Sequence, residues 1–322
     1  MEQVRRDLEA VEAEARKAIV GQDAALRALI TAIFADGHVL LEGLPGLGKT
    51  IMVKTLREIL KLSWSRIQFT PDLMPADITG TNVIAVREDG EKGFRFEPGP
   101  IFANLLLADE INRASPKTQS ALLQAMQERE VTAFGRHFVL EDPFYVVATQ
   151  NPIEMEGTYP LPEAQLDRFL FKIVIAPPDL ENLQRIALLT SGPEPPRPGV
   201  VLTREGLLRS RDLIRRIPVA GPVLEFAARL IQATHPDRPE APAATRTLVR
   251  YGASPRGLQA LLAAARVCAA RAGRFHISRE DVLENLLPAL RHRILLGYEG
   301  ELQRVSVDAL LGEIAAAVGA RD

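Results

Sequence analysis

Val4, Leu8, Val11 and Ala15 recur at intervals of three and four residues among charged neighbours. That spacing predicts an amphipathic helix over about residues 1–18, with one apolar stripe and the charges in water. Ile19-Val20-Gly21-Gln22 ends it, and Gln22 to Phe34 reads as a second helix. His38 to Glu42 is then a short apolar strand that runs straight into Gly43, and Thr50 to Leu60 returns to a helical pattern. Arg66 to Thr70, Leu105 to Ala108, Phe144 to Thr149 and Phe169 to Val174 are further strand candidates. Leu105-Leu106-Leu107-Ala108 is continuously apolar, as a strand covered on both faces must be. Ser115-Pro116 is a cap and first-turn pair opening a helix to Glu128. Strands alternating with helices predict a parallel, three-layer α/β domain.

Two stretches interrupt the alternation. Val83 to Val86 and Phe94 to Phe96, joined by Asp89 to Gly93, read as a hairpin within an insert over about 78–98. Val131 to Leu140, turning near Gly135, reads as a second hairpin over about 130–141. The pattern alone leaves open whether they project to grip something or decorate a sheet edge. After Val174 the strands stop. Pro177-Pro178-Asp179 starts a helix, and Gly192 to Gly199 carries too many prolines to continue any element. Helical patterns follow over Glu205–Arg216, Val223–Thr234, Pro255–Arg271, Ser278–Arg293 and Ser306–Val318. The expected division is an α/β core over 1–178 and an all-α unit over 179–322.

Composition narrows the chemistry. The 322 residues amount to about two domains. With 39 Lys+Arg against 41 Asp+Glu, there is no basic excess of the kind that drives binding through phosphate neutralisation. One cysteine, Cys268, excludes an intrachain disulfide and a cysteine-based zinc site. No apolar run approaches ~20 residues, and Met1 to Lys17 lacks the apolar stretch of a secretion signal. The expectation is a cytoplasmic protein with no membrane span.

Gly43-Leu44-Pro45-Gly46-Leu47-Gly48-Lys49-Thr50 fits the phosphate-binding loop pattern in full, between a strand and a helix. Glycines let the main chain curl its N–H groups around phosphates, and the next helix points its positive end at the anion. Lys49 would neutralise the β- and γ-phosphates, and the Thr50 hydroxyl would ligate Mg²⁺. Leu105 to Ala108 delivers Asp109 and Glu110 to a strand end, where ligands of open α/β sheets bind. Asp109 would hold the Mg²⁺ shell through water, and Glu110 would polarise the attacking water. Asn151 ends another strand and could reach the γ-phosphate or its water; an Asn before Pro152 is also an ordinary turn residue. Arg168 either pairs locally with Asp167 or Glu163, or serves a neighbouring subunit's γ-phosphate as an arginine finger. Arg256 either contacts the γ-phosphate from the helical unit or is simply solvated.

These motifs, in this order, resemble the AAA+ ATPases, and longer strings narrow the resemblance to the MoxR family. The strings are Gly43 to Thr50, Ala108 to Ala114, Thr149 to Pro152, Glu156 to Phe169, Gly252 to Arg256 and Leu290 to Arg293. The resemblance implies a five-stranded αβα core with a helix-2 insert and a pre-sensor hairpin, followed by a helical lid. It implies that Val20 and Gly21 line an adenine pocket, with Asn151 as sensor 1, Arg168 as arginine finger and Arg256 as sensor 2. It further implies ATP and Mg²⁺, a hexameric ring with nucleotide at subunit interfaces, and a chaperone-like role on client proteins. Partners carrying von Willebrand factor A domains are part of that expectation. The Pro/Ala-rich stretch within 235–250 departs from the tighter link the family leads one to expect.

Other residues have plainer readings. Cys268 lies in an apolar helix and reads as core, Trp64 as packing. The five histidines show no metal-ligand spacing. Arg291 and Arg293 read as a solvated helix face or interface, and Arg113 as a second candidate for action across an interface. Competing functions are a DNA-acting motor, a magnesium-chelatase-like subunit, and a nucleotide-gated scaffold without turnover. Near-neutral charge and few hairpin aromatics weigh against nucleic acid.

Overall fold

A computed structural model describes residues 1–86, 92–152, 157–191 and 197–320. Helices α1 (Glu2–Ala18) and α2 (Asp23–Phe34) lead into β1 (Val39–Glu42), followed by α3 (Lys49–Ile59) and β2 (Trp64–Gln68). The short α4 (Pro75–Thr79) precedes the hairpin β3 (Gly80–Val86) and β4 (Lys92–Pro98). Next come β5 (Leu105–Asp109), α5 (Pro116–Glu128), the hairpin β6 (Glu130–Ala133) and β7 (Arg136–Val139), β8 (Tyr145–Gln150), α6 (Glu163–Leu166) and β9 (Phe171–Val174). The helical part holds α7 (Leu180–Ser191), α8 (Arg204–Arg215), α9 (Gly221–Ala233), α10 (Ala243–Leu248), β10 (Val249–Tyr251) and α11 (Pro255–Arg271). It ends in α12 (Arg279–Glu284), α13 (Leu286–Leu290), β11 (Leu295–Leu296), α14 (Tyr298–Leu302) and α15 (Val307–Gly319).

The core sheet is parallel, in the order β2-β5-β8-β1-β9. Its central strands are sandwiched, and their side chains alternate between two apolar clusters. Leu105 and Leu107 face one cluster with α1, α2 and α3; Leu106 and Ala108 face the other with α5. That two-sided burial is why β5 carries no polar residue until Asp109. Val4, Leu8, Val11 and Ala15 are all buried, so the stripe on α1 packs inward along its whole length. The first cluster continues into α8, α9 and α11, which ties the lid to the core through apolar contact. The fold is thus a five-stranded parallel α/β core with two hairpin inserts and a helical lid, the architecture the resemblance implies.

Three details differ from the pattern reading. Ser278–Arg293 is two helices, because Asn285 leaves helical geometry at φ −101, ψ 2 and bonds Asp281 O and the Cys268 thiol instead. The lid includes a small ribbon, β10 with β11, that short apolar runs did not reveal. The 235–250 stretch folds around Arg246, whose guanidinium bonds the Ala241 carbonyl at 3.1 Å. The first hairpin's expected turn at 89–91, Glu156 of the Glu-Gly-Thr-Tyr-Pro string and residues 192–196 of the proline-rich loop lie outside the described residues. The two hairpins stand together: Phe96 stacks on Phe138 at 4.4 Å between centroids, with Phe102 edge-on to both.

His38 shows how the sheet constrains a titratable group. Its Nδ1 accepts the Val146 N–H at 3.0 Å, so Nε2 carries the proton and donates to Met126 O at 3.1 Å. Burial, with the Arg129 charge nearby, lowers its pKa from 6.5 to about 3. The unfolded chain takes up that proton near pH 6.5 while the folded chain refuses it. Stability from this group is therefore complete above about pH 6.5 and lost progressively as pH falls toward 3. Urea midpoints measured from pH 7 to pH 4.5 should fall, and His38→Gln should flatten the slope. A slope unchanged by that substitution would assign the acid sensitivity elsewhere.

Candidate active site

The loop between β1 and α3 carries the residues expected to bind phosphate. Gly46 and Gly48 both have φ +82, and a Cβ built at either meets nothing within 4 Å. Both positions therefore need glycine for conformation, and the loop opens onto space rather than onto protein. At Gly43, by contrast, a Cβ would lie 3.0 Å from Ile175 O, so this glycine permits close packing against the strand end. Helix α3 starts at Lys49, which aims its N-terminus at the loop. Lys49 Nζ donates to Gly43 O at 2.7 Å and Leu44 O at 2.8 Å. Desolvation lowers its pKa, against the pull of the Asp109 and Glu110 carboxylates.

Those carboxylates face the loop across one pocket of about 330 Å³, which Thr50, Thr149 and Asn151 also line. Thr149 Oγ1 donates to Asp109 Oδ1 at 2.5 Å and accepts the Glu110 N–H at 2.9 Å. The other Asp109 oxygen accepts from Arg66 at 2.7 Å. Glu110 adopts the left-handed region, φ 56, ψ 51, rare for a residue with a Cβ. That twist at the strand end lets two adjacent acids serve one pocket instead of opposite sheet faces. Glu110 Oε2 accepts from Gln68 at 3.0 Å and from Arg113 at 2.9 Å. Arg113, considered for a role across an interface, thus pairs with Glu110 of its own chain.

An apolar pocket of about 270 Å³ adjoins the loop, lined by Val20, Leu47, Ile51, Leu183 and Leu189 among others. Val20, expected beside a base, lines this pocket. Gly21 lies beside it, its φ of +74 backed by Asn182, where a Cβ would come within 2.7 Å.

Arg168 and Arg256 do not line the loop pocket. They share a different one, of about 350 Å³, with Gln127, Arg129 and Asp167. Arg168 does not pair with Asp167; its Nη1 donates to Leu123 O at 2.6 Å. Asp167 is taken by Arg293 at 2.8 Å. Arg293 is therefore buried at the core–lid seam, where the sequence pattern had placed it on a solvated face or an interface. Arg291 likewise pairs with Asp308 at 2.8 Å. The pattern missed Arg66, Gln68 and Thr149 as partners of the acids. The available signal was the parallel register that sets Gln68 beside Asp109, with Arg66 two residues back on the same face.

The donor set suits a hard divalent cation held mostly by its substrate: one hydroxyl, Thr50, and one carboxylate, Asp109, on opposite sides of a pocket open enough for phosphates. Among the described residues there is no cluster of three or more His, Cys, Asp or Glu side chains that would hold a metal unaided. Cys268 is buried and hydrogen-bonded by Asn285, with its thiol pushed up to about 11 by burial, so it stays a protonated core residue. Among the same residues, no helix is long and apolar enough to cross a membrane.

Residues 38–171 match the family described as ATPases associated with various cellular activities, and residues 241–314 match an AAA lid domain. Chaperone MoxR1 of Mycobacterium tuberculosis is 42% identical over 301 residues, covering 94% of this chain and 79% of that protein. Protein MoxR of Methylorubrum extorquens is 36% identical over 317 residues, covering 92% and 90%. The crystal structure of a candidate ATPase from Cytophaga hutchinsonii superposes with a TM-score of 0.91 at 37% identity, covering 98% of this chain and 95% of that one.

Proposed function

The chain belongs to the MoxR family of chaperone-like AAA+ ATPases, and from that premise we propose that it hydrolyses ATP to ADP and phosphate to remodel or assemble partner proteins. The carrying observation is a division of labour. The phosphate loop, both acids and Asn151 share one pocket, while Arg168 and Arg256 share another.

In this reading Lys49 and the loop N–H groups hold the β- and γ-phosphates, with Gly43 to Gly48 shaping the turn. Val20 and the apolar pocket take the base. Thr50 and Asp109 hold Mg²⁺, which when bound supplies charge neutralisation on the phosphate oxygens. Asn151 orients the water, and Glu110 accepts its proton as the bond to the γ-phosphorus forms. Arg113 and Gln68 hold the Glu110 carboxylate in place beforehand. Arg168 and Arg256 act on the triphosphate of an adjacent copy, since their shared pocket is not that of their own loop. A contact repeated head to tail closes into a ring, and a hexamer is the size we propose. The core over 1–178 and the lid over 179–322 would be the moving bodies. Clients are proteins, with a von Willebrand factor A domain protein among the partners, in the cytoplasm.

A first assay is Mg²⁺-dependent phosphate release, with particle mass measured by light scattering with and without ATP. Turnover should require Mg²⁺, and mass should rise to a ring on adding ATP. A monomer with full turnover would overturn the shared-site reading.

A further inference from the structure

Arg168 sits in a turn that the lid grips along its backbone. Just past α13, His292 and Arg293 dock on it, and Arg291 reaches the strand β9 that follows it. Arg291 Nη1 donates to Lys172 O at 3.4 Å. His292 Nε2 lies 3.1 Å from Phe169 O. Arg293 donates to Asp167 O at 3.0 Å, Phe169 O at 2.7 Å and Leu170 O at 3.2 Å. Arg293 Nε also meets Asp167 Oδ1 at 2.8 Å, in a side chain only 3% exposed. A guanidinium is buried this deeply only where its protons find acceptors; besides Ala289 O of its own helix and the Asp167 carboxylate, the acceptors here are peptide groups on either side of Arg168.

The start of α11 holds the same residue from a second side. Ser254 Oγ lies 2.8 Å and 2.9 Å from the two Asp167 carboxylate oxygens, so its one proton is shared between them. The same oxygen accepts the Arg256 N–H at 3.1 Å. One hydroxyl thus connects the backbone of Arg256 to the side chain next to Arg168. Arg293 neutralises Asp167, so that carboxylate is not available to quench the two pocket-facing arginines.

We propose that Ser254, Asp167 and Arg293 are positioning residues that lock Arg168 of the core and Arg256 of the lid into one pair presented to the neighbouring copy's triphosphate. This rests on the two-chain site proposed above. The lid then sets whether each copy offers its neighbour a competent pair. A lid displaced from the Asp167–Leu170 turn carries Arg256 away from Arg168, which stays on the core through Leu123 O, and so breaks the pair.

The test compares Ser254→Ala with Ser254→Thr, and both with Arg168→Ala, in the full chain. It reads kcat, KM, affinity for a fluorescent ATP analogue and thermal midpoint. Ser254→Ala keeps analogue affinity, because the loop pocket is untouched, while kcat falls by roughly 10- to 100-fold, the size of an ångström-scale misplacement. Ser254→Thr retains the hydroxyl and restores kcat. Mixing Ser254→Ala with Lys49→Ala chains raises turnover above the sum of the two alone, since the defect lies on the presenting face. Wild-type kcat in Ser254→Ala, alongside a crippled Arg168→Ala, overturns the lock and leaves the two-chain site standing. Parallel loss of analogue affinity and kcat, or no rescue by threonine, also overturns it, because a general folding defect then suffices. Wild-type turnover in Arg168→Ala overturns both proposals.

Discussion

Glu110→Gln binds ATP as tightly as the wild type and turns it over at least about 100-fold more slowly, the lower range for losing a positioned general base. The substitution is nearly isosteric, and an amide still accepts from Gln68 and Arg113 through its oxygen. What disappears is the capacity to take a proton from water. Binding should survive because Lys49, the loop glycines and the N-terminus of α3 do not depend on Glu110 for their shape. The measurement pairs single-turnover hydrolysis with equilibrium binding of a fluorescent ATP analogue. Hydrolysis at the wild-type rate would remove Glu110 from the reaction. The same variant, stalled with ATP, should retain client proteins through an affinity column that wild type releases.

The parts of this site that were legible in the chain are those written in short, contiguous strings. Gly43 to Thr50 specifies a loop by itself, since its glycines, lysine and hydroxyl act within eight residues. Asp109 and Glu110 follow from an apolar run that ends abruptly in two acids. The core sheet was legible because two-sided burial demands unbroken apolar strands, as in Leu105 to Ala108. Strand order also places these two strings at one sheet edge once the strands are parallel.

The rest depended on contacts distant in sequence. Arg293 looks solvated in a helical pattern, but Asp167 lies 126 residues earlier and draws it inside. Ser254 reads as an ordinary helix cap, and it is one, yet its hydroxyl also reaches Asp167. Gln68 and Arg66 look like exposed polar residues of an edge strand until register sets them beside the acids. The left-handed Glu110 leaves no trace in composition, because any residue there would have to twist. Local pattern encodes what each segment is; the partner that satisfies a buried charge comes from the fold.

Arg168→Ala lowers kcat by roughly 10³- to 10⁵-fold with analogue affinity retained, the range for removing a transition-state arginine. The argument is electrostatic. Charge builds on the γ-phosphate oxygens as the bond to the β-phosphate breaks, and a guanidinium placed there in advance stabilises that charge without reorganisation. Arg168 lines a separate pocket with Arg256, not the one around its own loop. In the proposed two-chain site it serves another chain, and that makes a distinctive mixing result. Lys49→Ala chains lose their own phosphate grip but still present Arg168; Arg168→Ala chains keep the grip but present Arg256 without it. Each alone is inactive. Combined in equal amounts and assembled at random, roughly one interface in four joins an intact loop to an intact arginine. Turnover should then return to about a quarter of wild type, and titrating the ratio should trace a maximum near equal amounts. Mixtures that stay silent across all ratios, while mass measurements show the two chains in common rings, would place Arg168 outside the reaction.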